Sequence, residues 1–240
     1  MRNSLLKDER LKAVFDMLGE AKLVLDVGCD HGYLSAALIN EGRAERVIAS
    51  DISPASCEKA GLLARGLGIS DRMKTVCADG LSPLEDEKAP YSIAISGMGG
   101  ELIVKILKKG NAAAKRADII VMQPMRGEAE LREYLFREGF FTVSEKVVLD
   151  DGRYYQVIAA RFGEKDTIPE GFPENWFRFG WVMAEKPDEK LLPLLIHYRA
   201  AYEKELEKAA KKGKNPKPLT DEIERTDALI AFVKGRIACS

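Results

Sequence analysis

At 240 residues with 46% apolar side chains, the chain is long enough to bury a sizeable core, as one domain with an appendage or as two small ones. Its 37 basic and 38 acidic residues leave a net charge of −1, so total charge points to no class of partner and only local clusters carry such a signal. Cys29, Cys57, Cys77 and Cys239 form no CxxC pair and read as reduced thiols of a cytosolic protein.

The first twenty residues, "MRNSLLKDERLKAVFDMLGE", have the pattern of a charged amphipathic helix and not of a signal peptide. No apolar run approaches the ~18 residues of a membrane span, so a soluble, cytoplasmic protein is expected. From there, short apolar runs alternate with helical patterns. "KLVLDV", "RVIAS", "MKTVCA", "YSIAIS" and "ADIIVMQ" lack in/out alternation, which predicts strands buried on both faces of a parallel sheet. Helices are predicted near 32–41, 54–68, 99–109 and 126–138, and Ser53-Pro54 supplies a capping hydroxyl followed by proline at the first helical position. This order implies a doubly wound α/β sheet with right-handed crossovers.

After residue 139 the pattern changes. In "GFFTVSEKVVLDDGRYYQVIAARF" two strand-like runs flank "DDG", as in an antiparallel hairpin that closes the sheet. "GEKDTIPEGFPENW" is rich in Pro, Gly and charge and reads as a linker. Beyond it, Leu191, Leu195, Tyr198, Tyr202, Leu206 and Ala209 follow a helical period. So do Leu219, Ile223, Thr226, Ile230, Val233 and Ile237, past the turn "KKGKNPKP". Two antiparallel helices packed as a coiled-coil hairpin are expected. The division is 1–162, an α/β domain; 163–185, a linker and connecting helix; and 186–240, the helical hairpin.

Chemistry concentrates at the strand ends. In a doubly wound sheet, ligands bind beyond the carboxyl ends of the strands. "VLDVGCDHGYLSAALI" places Asp26, Gly28, Asp30, His31 and Gly32 at the first of these ends, Asp51 lies at the second and Asp79 at the third. A plain turn and ordinary helix caps would account for any one of them; three consecutive acidic strand ends favour a nucleoside-type ligand. Asp51 stands where a carboxylate holds a ribose diol, about 20 residues past the glycine turn. Asp79 is placed to accept from an exocyclic amine or amide. A dinucleotide site wants GxGxxG around its pyrophosphate, whereas "GCDHGY" carries Asp30 at the second glycine position. That counts against NAD or FAD and suits S-adenosylmethionine, which has no phosphate and carries a sulfonium and an ammonium. Nothing in the sequence calls for a metal or specifies an oligomeric state.

"DVGCDHGYL", "ASDIS", "ADGL", "ISGMGGELIVKIL" and "VMQP", in this order and spacing, resemble the bacterial tRNA (adenine-N1)-methyltransferase family acting at position 22, within the class I S-adenosylmethionine-dependent methyltransferases. The resemblance spans about residues 3–161 and continues more loosely through "FRFGWVMAEK" and the helical hairpin. Two departures are Gly32, where the family has another small residue, and Met125, where it often has a polar residue after Gln-Pro. The resemblance implies a Rossmann-like catalytic domain, tRNA as partner, S-adenosylmethionine as cofactor and S-adenosylhomocysteine as product. It implies a cofactor site of Asp26, Gly28, Gly32, Asp51, Ile52, Asp79, Gly80, Gly97, Met98 and Gly99. Asp30 is then the first candidate for stabilising charge on the methylated adenine and His31 the second, an orienting hydrogen bond within the turn being the plainer role for His31. His197 reads as structural. Lys208, Lys211, Lys212, Lys214 and Lys217, with no acidic residue among them, form a candidate RNA grip. A methyltransferase of the same class acting on a small molecule or protein, and a non-enzymatic Rossmann-like binding protein, are the alternatives.

Overall fold

The apolar runs pair into one seven-stranded sheet in a computed structural model that describes residues 5–163, 168, 172 and 176–238. Cys239 and most of the expected linker lie outside the described residues. The strands are β1 (Ala21–Val27), β2 (Ala44–Asp51), β3 (Met73–Cys77), β4 (Ser92–Met98), β5 (Ile119–Pro124), β6 (Phe140–Asp150) and β7 (Arg153–Phe162), in the order β3-β2-β1-β4-β5-β7-β6. The first five are parallel, β7 runs antiparallel to β5, and β6 pairs antiparallel with β7. This is the mixed, Rossmann-like sheet that strand–helix alternation predicts, closed by the antiparallel hairpin. Asp151 (φ 45°) and Gly152 (φ 71°) make its two-residue turn, with both central residues left-handed, as a type I′ turn demands.

Consecutive residues of β1 feed opposite cores. Val24 packs with α1 (Glu9–Leu18) and α2 (Tyr33–Asn40), while Leu23, Leu25 and Val27 pack with α4 (Gly100–Lys109) and α6 (Glu128–Arg137). Burial on both faces explains why the strand shows no alternation. β3 departs from that expectation: only Met73 is buried, because β3 is the sheet edge. α3 (Pro54–Gly66) begins as predicted, with the Ser53 hydroxyl accepting from the Ser56 amide and Pro54 at the first position. A 3₁₀ turn (Ser82–Leu84) and α5 (Asn111–Arg116) were not indicated by the sequence pattern.

Two short helices, α7 (Trp176–Phe179) and α8 (Trp181–Glu185), lead into α9 (Leu191–Lys211) and α10 (Lys217–Ala238). Leu191, Leu194 and Leu195 meet Leu229, Ile230 and Val233 in a third core that also takes in Phe179, Met183 and Val147 of β6. The base of the helical hairpin is therefore packed on the seven-stranded sheet. Ile237, expected in the seam, is 47% exposed, since the last turn of α10 runs past Val233, the last α10 member of that core. His197 sits on α9 with its ring 5.6 Å from that of Tyr154.

Candidate active site

The turn after β1 is stitched to β2. Gly28 N–H and Cys29 N–H both donate to the Ser50 carbonyl, at 2.8 and 3.0 Å. Gly28 is left-handed (φ 72°), and a Cβ there would lie 2.2 Å from Met98 Cε, so the bare backbone lets the end of β4 close over the turn. Asp30 is also left-handed (φ 47°), a conformation that Asp tolerates better than most residues. Its N–H donates to Asp51 Oδ2 at 3.1 Å, while Asp51 Oδ1 accepts from Ser53 N–H at 2.8 Å. The side chain of Asp30 lies 2.9 Å, Oδ2 to Nδ1, from His31, and the His31 ring stacks on Tyr33 with centroids 5.6 Å apart.

Asp26 ends up 2% exposed. Burial pushes its carboxyl up to about 6, against the Ser35 hydroxyl, which donates to Oδ2 at 2.7 Å and favours the ionised form. Burial likewise pushes the neighbouring Cys29 thiol up, with Asp26 and Asp51 adding to the shift, which disfavours its thiolate. Asp26, Gly28, Asp30 and His31 face Ser96, Gly97 and Gln123 across a cavity of about 300 Å³ between the ends of β1 and β4. Gln123, 1% exposed, accepts from Gly97 N–H at 3.2 Å and donates to the Pro124 carbonyl at 2.7 Å, which fixes the Gly97 backbone.

The expected site residues do not all converge on this cavity. Asp51, Ile52 and Met98 are not among its lining residues, and Ile52 is 75% exposed. Asp79 faces a second cavity of about 160 Å³, where it pairs with Lys109 Nζ at 2.6 Å. Gly80 completes the turn after β3, and Gly99 caps α4. Gly32 is a different case. Its Cβ would lie 2.7 Å from Met73 Cε and 2.9 Å from Ala60 Cβ, so it serves the close packing of α2 on α3 and does not line the cavity. The five lysines are all exposed, spread over the last turns of α9, the turn and the first residue of α10. Asp8 and Arg10 were not singled out from the sequence, yet both line the cavity. The only local hint was a charged pair opening an amphipathic helix. Gln123 carried a clearer signal, a lone amide ending the apolar run "ADIIVMQ".

By sequence, residues 7–158, more than half of the chain, match the family described as Methyltransferase domain. The chain belongs to this methyltransferase family. Among characterised proteins, the methyltransferase is 26% identical over 232 residues to the tRNA (adenine(22)-N(1))-methyltransferase of Bacillus subtilis, covering 95% of this chain and 97% of that one. Its structure superposes on the crystal structure of the B. subtilis m1A22 tRNA methyltransferase with a TM-score of 0.80 at 22% identity, covering 97% and 99% of the two chains. The M. capricolum enzyme solved with S-adenosyl-homocysteine gives 0.79 at 18% identity, over 93% and 97%. The structural likeness includes the helical hairpin, since nearly the whole of each chain is covered. Among the described residues of the methyltransferase, no helix is long and apolar enough to cross a membrane, and no cluster of three His, Cys, Asp or Glu could hold a metal ion.

Proposed function

We propose that this methyltransferase methylates N1 of an adenine in tRNA, at position 22, with S-adenosylmethionine as methyl donor and S-adenosylhomocysteine as product. The observation that carries the reading is the acidic cavity between β1 and β4, which joins a buried carboxylate, a His–Asp pair and a glycine strip. The B. subtilis relative of that activity, matched over 97% of its length, supports it.

The residues fit the cofactor. Asp26 is a buried carboxylate on the cavity wall with a hydroxyl for company and, among the described residues, no cation as a hydrogen-bond partner, and it would hold an ammonium. Asp51, aimed by the amides of Asp30 and Ser53, would hold the ribose diol, with Ile52 against the adenine face. Asp79 and Gly80 would take the adenine edge, once Asp79 exchanges or shares Lys109. Gly97, Met98 and Gly99 would border both the cofactor and the target base. When bound, the cofactor supplies an electrophilic methyl group on a sulfonium.

N1 of neutral adenine already offers its lone pair, so these residues have to align the reactants more than remove a proton. Methylation leaves positive charge on the adenine ring. Asp30 stabilises that charge and can accept an N6 proton, and His31, bonded to it, holds its orientation. N1 lies on the Watson–Crick edge, so the adenine must be unpaired or flipped out to enter. Residues 186–240 then act as an RNA arm on the 1–162 catalytic domain, joined by 163–185, with the five lysines meeting phosphates. α9 has 21 residues and is about 31 Å long at 1.5 Å per residue, which a tRNA spans and a small substrate does not. A tRNA substrate implies a cytoplasmic enzyme. Mass-spectrometric nucleoside analysis of bulk tRNA incubated with enzyme and cofactor tests the reading: new N1-methyladenosine supports it, and none overturns it.

A further inference from the structure

We infer that Arg10 anchors the α-carboxylate of the cofactor's amino-acid end, opposite Asp26, which takes the ammonium. The inference rests on the cofactor proposed above and names how its amino-acid end is recognised.

The cavity is lined by Asp8, Asp26 and Asp30, and among the described residues Arg10 is its one guanidinium. An amino acid carries an ammonium and a carboxylate on a single carbon. Three carboxylates welcome the first and repel the second, so the second needs a cation in the same wall. Arg10 is held there from several sides. Asp8, the N-cap of α1, accepts from Arg10 N–H at 2.7 Å and from Nε at 3.0 Å, and also pairs with Nη2. Asp150 Oδ2 lies 3.5 Å from Nε, and the guanidinium carbon sits 4.8 Å above the Tyr155 ring. These contacts occupy one edge and one face of the fork. The Nη1 end meets the Met125 thioether at 3.0 Å, a weak acceptor that a carboxylate would outcompete. A planar fork held in a fixed orientation, with one end on a poor acceptor, suits an incoming carboxylate.

The test is a comparison of two ligands by calorimetry, S-adenosylhomocysteine and 5′-deoxy-5′-(3-aminopropylthio)adenosine, which keeps the ammonium and lacks the carboxylate. Wild type should prefer the first by roughly tenfold to a hundredfold, as expected for a hydrogen bond between charged groups. In Arg10→Gln that preference should collapse to near unity, and Arg10→Lys, which keeps the charge and most of the packing, should retain part of it. A purely structural Arg10 would weaken both ligands equally and leave the preference intact, which overturns the inference. So does a variant whose preference holds while its KM for tRNA rises, since Arg10 would then serve an RNA phosphate. Wild type that binds both ligands without discrimination overturns this inference alone; wild type that binds neither overturns the cofactor reading as well.

Discussion

The backbone N–H of Asp30 donates to Asp51 Oδ2 at 3.1 Å, so the turn after β1 and the end of β2 are one hydrogen-bonded unit. The two carboxylates nevertheless have different partners. Asp51 spends its oxygens on two amides and on the ribose it would hold, whereas Asp30 points its side chain to His31. Asp51→Ala should therefore weaken S-adenosylhomocysteine by roughly 1.5–3 kcal/mol, the worth of a hydrogen bond to a charged group. Asp30→Asn should lower kcat well beyond any change in cofactor affinity, because the charge it removes matters only as adenine becomes cationic. Asn is the better probe than Ala here, since it accepts the left-handed backbone at φ 47° and keeps the amide that holds Asp51. Equal losses in kcat and in cofactor affinity for Asp30→Asn would reduce Asp30 to a cofactor ligand.

Asp26 gives a pH dependence with a definite sign. Its carboxyl moves from 3.8 to about 6 on folding, chiefly through burial, with Ser35 opposing and Asp51 adding to the rise. A group that holds its proton more tightly when folded contributes full stability below pH ~4 and loses it as pH rises through ~6. The ligand-free protein should thus lose on the order of 3 kcal/mol at this site between pH 4 and 7. Asp26→Asn should flatten that slope in thermal unfolding. An ammonium placed against Asp26 favours the ionised form, so S-adenosylhomocysteine should bind more tightly as pH rises through 6, with proton release detectable by calorimetry in buffers of different ionisation enthalpy. No proton release near pH 6 removes Asp26 from the ammonium site.

A second buried carboxylate is structural. Glu145 of β6 and Arg132 of α6 pair at 2.6 Å with side chains 0% and 2% exposed. Arg132 also donates to the Phe177 and Arg178 carbonyls and to Gln156, and Glu145 Oε2 accepts from Met183 N–H at 3.1 Å. The pair therefore ties the sheet to the helices that carry the hairpin. Glu145→Ala leaves a buried guanidinium unpaired and should cost ~3–5 kcal/mol. The double variant Arg132→Met with Glu145→Leu should cost less than either single change. A double-variant loss equal to the sum of the two single losses in denaturant unfolding would show that the pair is not coupled.

How much of this was legible in the sequence depends on range. The alternation of strands and helices, the Ser53-Pro54 cap and the "DDG" turn are local patterns and translate directly into structure. The carboxylates at the strand ends were visible because strand ends are where a doubly wound sheet binds ligands. The half-exposed face of β3 was not, because edge position follows from strand order and not from local periodicity. Gly32 looked like part of the ligand turn, and only the packing of α2 on α3 shows what its missing Cβ serves. Arg10 and Glu145 were hidden for a similar reason. Their partners, Met125 and Arg132, lie 115 and 13 residues away, and each charge fits an ordinary polar face until the fold brings the pair together.

The lysines of the helical hairpin test the proposed division of labour. Lys208, Lys211, Lys212, Lys214 and Lys217 are exposed at the end of the hairpin remote from its packed base, where Leu191 and Val233 join the core shared with β6. Any one of them is adequately explained as a solvated residue complementing the C-terminus of α9. Together they form a cationic tip that a near-neutral protein has concentrated in one place. Contacts from such a tip to phosphates release counterions, so each one steepens the fall of affinity with salt, by about 0.7–0.9 in the log–log slope. Reversal of all five to glutamate should raise KM for tRNA and make that slope shallower. The proposed cofactor site lies on the sheet, so the affinity for S-adenosylhomocysteine should stay within error of wild type, and the exposed positions should leave thermal stability nearly unchanged. Those two controls separate loss of an RNA contact from loss of folding. A charge-reversed protein that methylates tRNA with unchanged KM across a salt series has no RNA grip at the tip, and the hairpin would then serve folding or self-association.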